Sequence, residues 1–254
     1  MTTLTLLPRI NNDKQLKQID ASLKRAFEGL NVEAKVLGTV AGRWVQLALS
    51  GEDEGIATSY VLKEIGVCPA SVENVNEFSE LKGFITNLEQ GKEDLSVDVG
   101  VFKPEVVHAT VPLRSLQVHL VDGRKVALKR IAELFGFCEN LPIEVKVVRL
   151  DGEKVKMEAE LSRKQKSVYD NWRESLLDRL LVLGPSLYEI KRTLEHAKLD
   201  RDVIGVEPLG TFEHALTCKL GTDAAGLIPK IGRPLKDAKF AVFNPKRLRQ
   251  FLEA

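Results

Sequence analysis

Eleven basic side chains carry the clearest chemical signal in this 254-residue chain. Lys219, Lys230, Arg233, Lys236, Lys239, Lys246, Arg247 and Arg249 lie toward its end, and Arg114, Lys129 and Arg130 near its middle. Residues 228–254 hold 7 Lys and Arg against 2 Asp and Glu. Cations at that density attract phosphates, which dominate nucleic-acid affinity. The competing reading is a solvated face balanced by nearby carboxylates. Residues 51–106 show the opposite bias, 12 acidic against 4 basic, and would contact a protein partner. Over the whole chain the charges cancel to +1.

Catalytic patterns are sparse. There is no Walker-type phosphate loop, no dinucleotide-binding glycine pattern, no HExxH helix and no GxSxG elbow. His108, His119, His196 and His214 stand at no metal-ligand spacing. Glu213, His214, Cys218 and Asp223 form the densest reactive group. On a strand His214 and Cys218 would share a face, so a Cys–His nucleophile is geometrically possible. A buried cysteine acting as a small hydrophobe is the competing reading. Cys68, Cys138 and Cys218 form no CxxC pair, which argues against a zinc ribbon or a disulfide framework and fits a reducing cytoplasm. No apolar run approaches the roughly 18 residues of a membrane span, and the N-terminus does not read as a secretory leader. A non-catalytic, cytoplasmic protein with no cofactor and no metal is the expectation.

Four segments must position these groups, and together they predict an α+β chain. Residues 1–78 read as a small α/β domain. TLTLLPRI is a strand, and DKQLKQIDASLKRAFEGL is a helix whose apolar residues recur at three and four steps. VEAKVLGTVA and RWVQLALSG are strands around an Ala41-Gly42 turn, followed by a helix, GIATSYVLKEIG, and a final strand, SVENV. That order predicts a ferredoxin-like split βαβ sheet. Residues 79–162 read as a barrel of five strands, LKGFITNLE, LSVDVGVF, VVHATVPLRSL, IEVKVVRLD and KVKMEAELS. The last two form a hairpin around Asp151-Gly152. A helix, KVALKRIAELFGF, separates the third and fourth strands, which is the OB-fold arrangement. Residues 163–200 read as a helical linker, SRKQKSVYDNWRESLLDRLLVLG and SLYEIKRTLEHAKL. Residues 201–254 read as a small basic β module. Its strands are DVIGVEPLG, HALTCKL, AAGLIPKIG and KFAVFNP, and KRLRQFLEA is its terminal helix. Trp44 and Trp172 fall in apolar-periodic stretches and read as core residues.

The barrel segment also resembles a known family. Gly83-Phe84-Ile85, Val97-Asp98-Val99-Gly100, Val111-Pro112-Leu113-Arg114-Ser115-Leu116 and Leu161-Ser162 follow the order and spacing of the RNA-binding OB barrel named after ribosomal protein S-one. Gly226-Leu227-Ile228-Pro229 aligns with Ala109-Thr110-Val111-Pro112, which implies a second, truncated OB-like barrel at the C-terminus. The VDVGV, GFCENLP and CKLGTDAAGLIP segments resemble an uncharacterised archaeal family, a domain of unknown function, containing such barrels. The resemblance implies RNA or a ribonucleoprotein as partner, in translation or RNA processing.

One stretch departs from the resemblance. Nucleic-acid-binding members present stacking aromatics where this chain has Gly91-Lys92-Glu93-Asp94-Leu95. Glu89, Glu93, Asp94 and Asp98 would repel phosphates there, and Phe84, Phe102, His108 and His119 could partly substitute for the missing rings. The phosphate contacts are therefore expected from the C-terminal cations, with Arg114, Lys129 and Arg130 second. A protein–protein adaptor on an OB-type scaffold is the alternative.

Overall fold

The computed structural model describes residues 1–41, 43–88, 93–151 and 156–254. Gly42, Glu89, Gly91, Lys92 and the hairpin residue Gly152 lie outside the described residues. The chain divides into two units, residues 1–76 with 99–108, and residues 77–98 with 109–254.

In the first unit β1 (Thr2–Arg9), β2 (Val32–Val40) and β3 (Trp44–Gly51) form an antiparallel sheet in the order β1-β3-β2. α1 (Asp13–Ala26) crosses from β1 to β2, so β3 inserts between two parallel strands. Asn12 caps α1 by accepting from the Gln15 amide at 2.9 Å, while Ile19 and Leu23 bury its apolar stripe. α2 (Glu54–Tyr60) continues into a π-helical turn, Val61–Ile65, which Gly66 ends. The expected strand SVENV does not form. A single bridge, Leu6 to Val67, takes the place beside β1. Pro69, with no N–H to donate, then breaks that ladder. β4 (Ala70–Ser71) leaves β1 and pairs in parallel with β6 (Leu95–Lys103) of the barrel.

The barrel closes in the order β6-β5-β8-β9-β7 and back to β6, using β5 (Glu80–Thr86), β7 (Val107–Val111), β8 (Pro142–Asp151) and β9 (Lys156–Leu161). β7 and β9 are parallel, while β5 pairs antiparallel with β6 and β8. Leu95, Val97, Val99 and Val101 are fully buried, as the strand alternation predicts. Two helices, not one, separate the third and fourth strands: α3 (Leu113–Leu120) and α4 (Leu128–Phe135). The LRSL segment, expected as strand, is helical because Leu116 and Leu120 bury one helical face. Arg114 consequently sits on a helix.

The C-terminal part departs most from expectation. α5 (Arg163–Ser175) stops at Leu176, which adopts a left-handed φ of 54°. The following residues form β10 (Arg179–Leu183), so the expected helical linker supplies a central strand. With β11 (Val203–Pro208), β12 (Glu213–Cys218) and β13 (Lys239–Phe243), it builds an antiparallel sheet in the order β11-β12-β10-β13. α6 (Leu187–His196) and α7 (Ala224–Gly232) complete a β-α-β-β-α-β run. The second truncated barrel is therefore not formed. AAGLIPKIG is α7, capped by Asp223 through the Ala225 amide at 3.1 Å. Leu227 and Ile231 of α7 pack with Leu180, Val182, Leu216 and Cys218. Arg179, Leu181 and Phe243 point to the other face. There Phe135, Tyr169, Trp172 and Phe243 form a chain of rings 5.3–6.0 Å apart. The terminal helix is α8 (Pro245–Glu253).

Candidate nucleic-acid interface

The eleven basic residues divide into two groups. The first forms where α8 docks on α4 and α5. Asn244 caps α8 through the Arg247 amide at 2.8 Å, and Leu248 is buried beneath it. The guanidinium carbons of Arg124 and Arg130 lie 5.6 and 5.4 Å from the centre of the Phe251 ring. Arg124 also donates to the Leu252 carbonyl. Glu133 receives Arg130 at 3.1 Å and Arg247 at 4.0 Å. Two clusters more than a hundred residues apart in sequence are thus merged into one helical face. Lys129 and Arg130 come from α4, and Lys246 and Arg247 from α8, while Arg249 turns to the side of α8 away from Arg247. Arg114 belongs to α3, which packs on α4. Arg249 pairs with Glu253 at 2.6 Å. Arg114, Lys129 and Lys246 are exposed, and Lys246 lies close enough to Asp178 to act on its carboxyl.

The second group stands apart. Lys230 and Arg233 end α7, Lys236 follows in a loop and Lys219 follows β12. Lys239 opens β13 on the Phe243 side of the sheet, near Cys138, and does not belong with them. α7 covers the sheet face opposite the aromatic chain, so its cations do not join the α4–α8 face. Lys230 reaches Asp202 at 3.9 Å. Sequence reading missed Phe251, the ring on which Arg124 and Arg130 hold α8 in place. Its signal, an apolar residue three steps after Leu248, is the ordinary one for a buried helical stripe.

The second barrel strand, where the resemblance places base contacts, is covered. Gly100 has φ +75°, and a Cβ there would lie 2.4 Å from Cys68 Cβ and 3.3 Å from the Trp44 ring. Asp98, expected as a phosphate-repelling surface carboxylate, is buried, as are Ser96 and Phe84. Asp94 is exposed, and its carboxylate accepts from the Leu113 amide at 2.8 Å. Phe78 is the ring that sequence reading passed over. It is 65% exposed, with the Lys146 ammonium 5.3 Å from its centre. Its φ of +70° places it ahead of β5, where no periodicity marks it.

The histidines do not assemble a nucleophile among the described residues. His214 is buried, its Nδ1 has no hydrogen-bond partner, and burial pushes its imidazole down to about 4. Burial, with Asp178 and Asp223 nearby, pushes the Cys218 thiol up to about 11. Four residue steps along the strand put them about 13 Å apart, and both stay neutral at pH 7. Imidazolium–thiolate pairing is thus not available. His119 lies 3.4 Å from Ser115 Oγ and 3.7 Å from Glu160. Burial, then Lys166, holds its imidazole below the usual value. Among the described residues no group of three His, Cys, Asp or Glu is placed to hold a metal, and no helix is long and apolar enough to cross a membrane.

These features define a class: an α+β protein with a closed five-stranded barrel, a four-stranded antiparallel sheet and a cationic face made by α4 and α8. Residues 75–173 match the DUF2110 central domain and residues 177–243 the DUF2110 C-terminal domain. Both matches are to domains named for DUF2110, a domain of unknown function, and the second spans β10 to β13. Among solved structures it is similar to the intact alpha subunit of aIF2 from Pyrococcus abyssi, at 10% identity and TM-score 0.27, over 66% of this chain and 96% of that one. It is also similar to a chain of the a/eIF2alpha-aDim2p-rRNA complex from Pyrococcus horikoshii OT3, at 12% identity and TM-score 0.25, over 50% and 60%. Overlaps this loose do not bear on function. No curated protein matches the chain.

Proposed function

We propose that this protein is a non-catalytic RNA-binding protein that holds RNA by its phosphates across the α4–α8 face. The observation that carries the proposal is the docking of α8, which brings Arg247 onto the Glu133 that Arg130 also holds and sets Lys246 and Lys129 on the same pair of packed helices. Exposed cations on one rigid face are what backbone contacts need. The strand order, with helices between the third and fourth strands, fits an OB-type barrel, and the S-one resemblance points the same way. In this reading the setting is a ribonucleoprotein of translation or RNA processing, and the α7-side cations lie away from the bound RNA. The covered side of β6 favours the alternative, an adaptor that meets a protein partner through its acidic 51–106 region.

Fluorescence anisotropy with a labelled, structured RNA at low and physiological salt tests it. Binding should weaken as salt rises. A Lys129→Glu, Lys246→Glu, Arg247→Glu variant should bind at least about tenfold more weakly with an unchanged unfolding midpoint. Absence of binding at low salt would sink the RNA reading and leave the adaptor.

A further inference from the structure

Resting on that reading, we infer that the ligand of the α4–α8 face is base-paired RNA, gripped by its backbone, and not an unpaired strand. Proteins hold unpaired RNA by stacking its bases on exposed aromatic rings, worth roughly 5- to 150-fold in affinity per base. This face offers no free ring among the described residues. Phe251 is half-buried and carries the guanidiniums of both Arg124 and Arg130. The second barrel strand, the other place for bases, is closed by Cys68 and Trp44 over Gly100.

The remaining exposed rings are poorly placed. Phe78 follows Glu77, and its partner Lys146 stands opposite Glu80 in one ladder and Glu160 in the other. Those carboxylates repel a phosphate backbone. Tyr188 lies on α6, which packs on the sheet face away from the aromatic chain. Tyr60 packs edge-on against Phe27 at 5.7 Å. What the α4–α8 face does offer is a set of cations on two packed helices that outnumbers its carboxylates, with Lys129 and Lys246 outside the Glu133 pairs. A duplex presents its phosphates in equally fixed rows and is read by shape and backbone contacts. A flexible strand would have to be ordered along that face with no stacking in return.

The test compares the full chain binding an RNA duplex of about 16 base pairs and an unstructured oligouridine of equal phosphate number. Phe78→Ala is run beside the wild type. The duplex should bind at least about tenfold more tightly. Raising salt from about 50 to about 200 mM should weaken it by roughly 40- to 500-fold, the range for three to five neutralised phosphates. Phe78→Ala should change neither ligand. Equal or tighter binding of oligouridine, or loss of its binding in Phe78→Ala, would overturn the inference while leaving RNA binding intact. No binding of either RNA at low salt would overturn this inference and the underlying reading together.

Discussion

The outward side of β6 and the face of α4 and α8 meet opposite fates in this chain. β6 alternates large apolar residues with Ser96, Asp98 and Gly100, a pattern that reads as one buried and one wet side. In the fold both sides are buried, and Gly100 leaves only enough room for Cys68 and Trp44. α4 and α8 spend their apolar stripes inward and leave Lys129 and Lys246 in water. The lesson concerns where a barrel can keep a binding surface. A strand loses its outer face as soon as neighbouring chain covers it, while a helix packed by one stripe keeps its charged side. Resemblance of strands therefore does not carry a binding site with it.

The largest expected effect breaks the covered side. Gly100→Val adds a branched Cβ into a space 2.4 Å from Cys68 Cβ, at a backbone angle that β-branched residues resist. It should cost about 2–5 kcal/mol in a denaturant titration. The RNA affinity of the fraction that still folds should be unchanged, since bases do not use that strand. A loss of affinity at unchanged stability would reopen β6 as a contact surface.

The second effect probes another sealed layer. Burial lowers the His214 pKa to about 4, so the unfolded state binds the proton more readily. Stability is full above about 6.5 and falls as pH drops toward 4, by up to about 3 kcal/mol. His214→Leu should flatten that acid limb in thermal melts taken across the window.

A third change loosens the open face without touching its cations. Phe251→Ala removes the ring that Arg124 and Arg130 hold and should cost about 1–2 kcal/mol. RNA affinity should fall a few-fold as α8 frays from α4. The smallest effect distinguishes the two basic groups. Lys236→Glu changes the same charge as Lys129→Glu, yet on the α7 side it should alter RNA affinity less than about twofold.

Much of this architecture was legible in sequence. The alternation of Leu95, Val97, Val99 and Val101, the α1 stripe and the α8 segment all read correctly, because each buries one face against one layer. β10 did not. Leu180, Leu181, Val182 and Leu183 are apolar on both faces because the strand is central and covered twice, so its periodicity merges with that of the preceding helix. α7 reads as a strand in the apolar run AAGLIPKIG, although Ala224, Leu227 and Ile231 stand at helical spacing. The site was half legible. Its cations were visible as charge, but the contact between α4 and α8 is tertiary. No local pattern could say that Arg130 and Arg247 share Glu133, or that Lys230 and Lys236 lie elsewhere.

Lysine acetylation footprinting of the RNA complex tests the central claim most directly. Mass spectrometry would read the reactivity of each lysine with and without RNA. Lys129 and Lys246 should become protected while Lys219 and Lys236 stay reactive. Protection of Lys219 and Lys236 with Lys129 and Lys246 left reactive would contradict binding at the α4–α8 face.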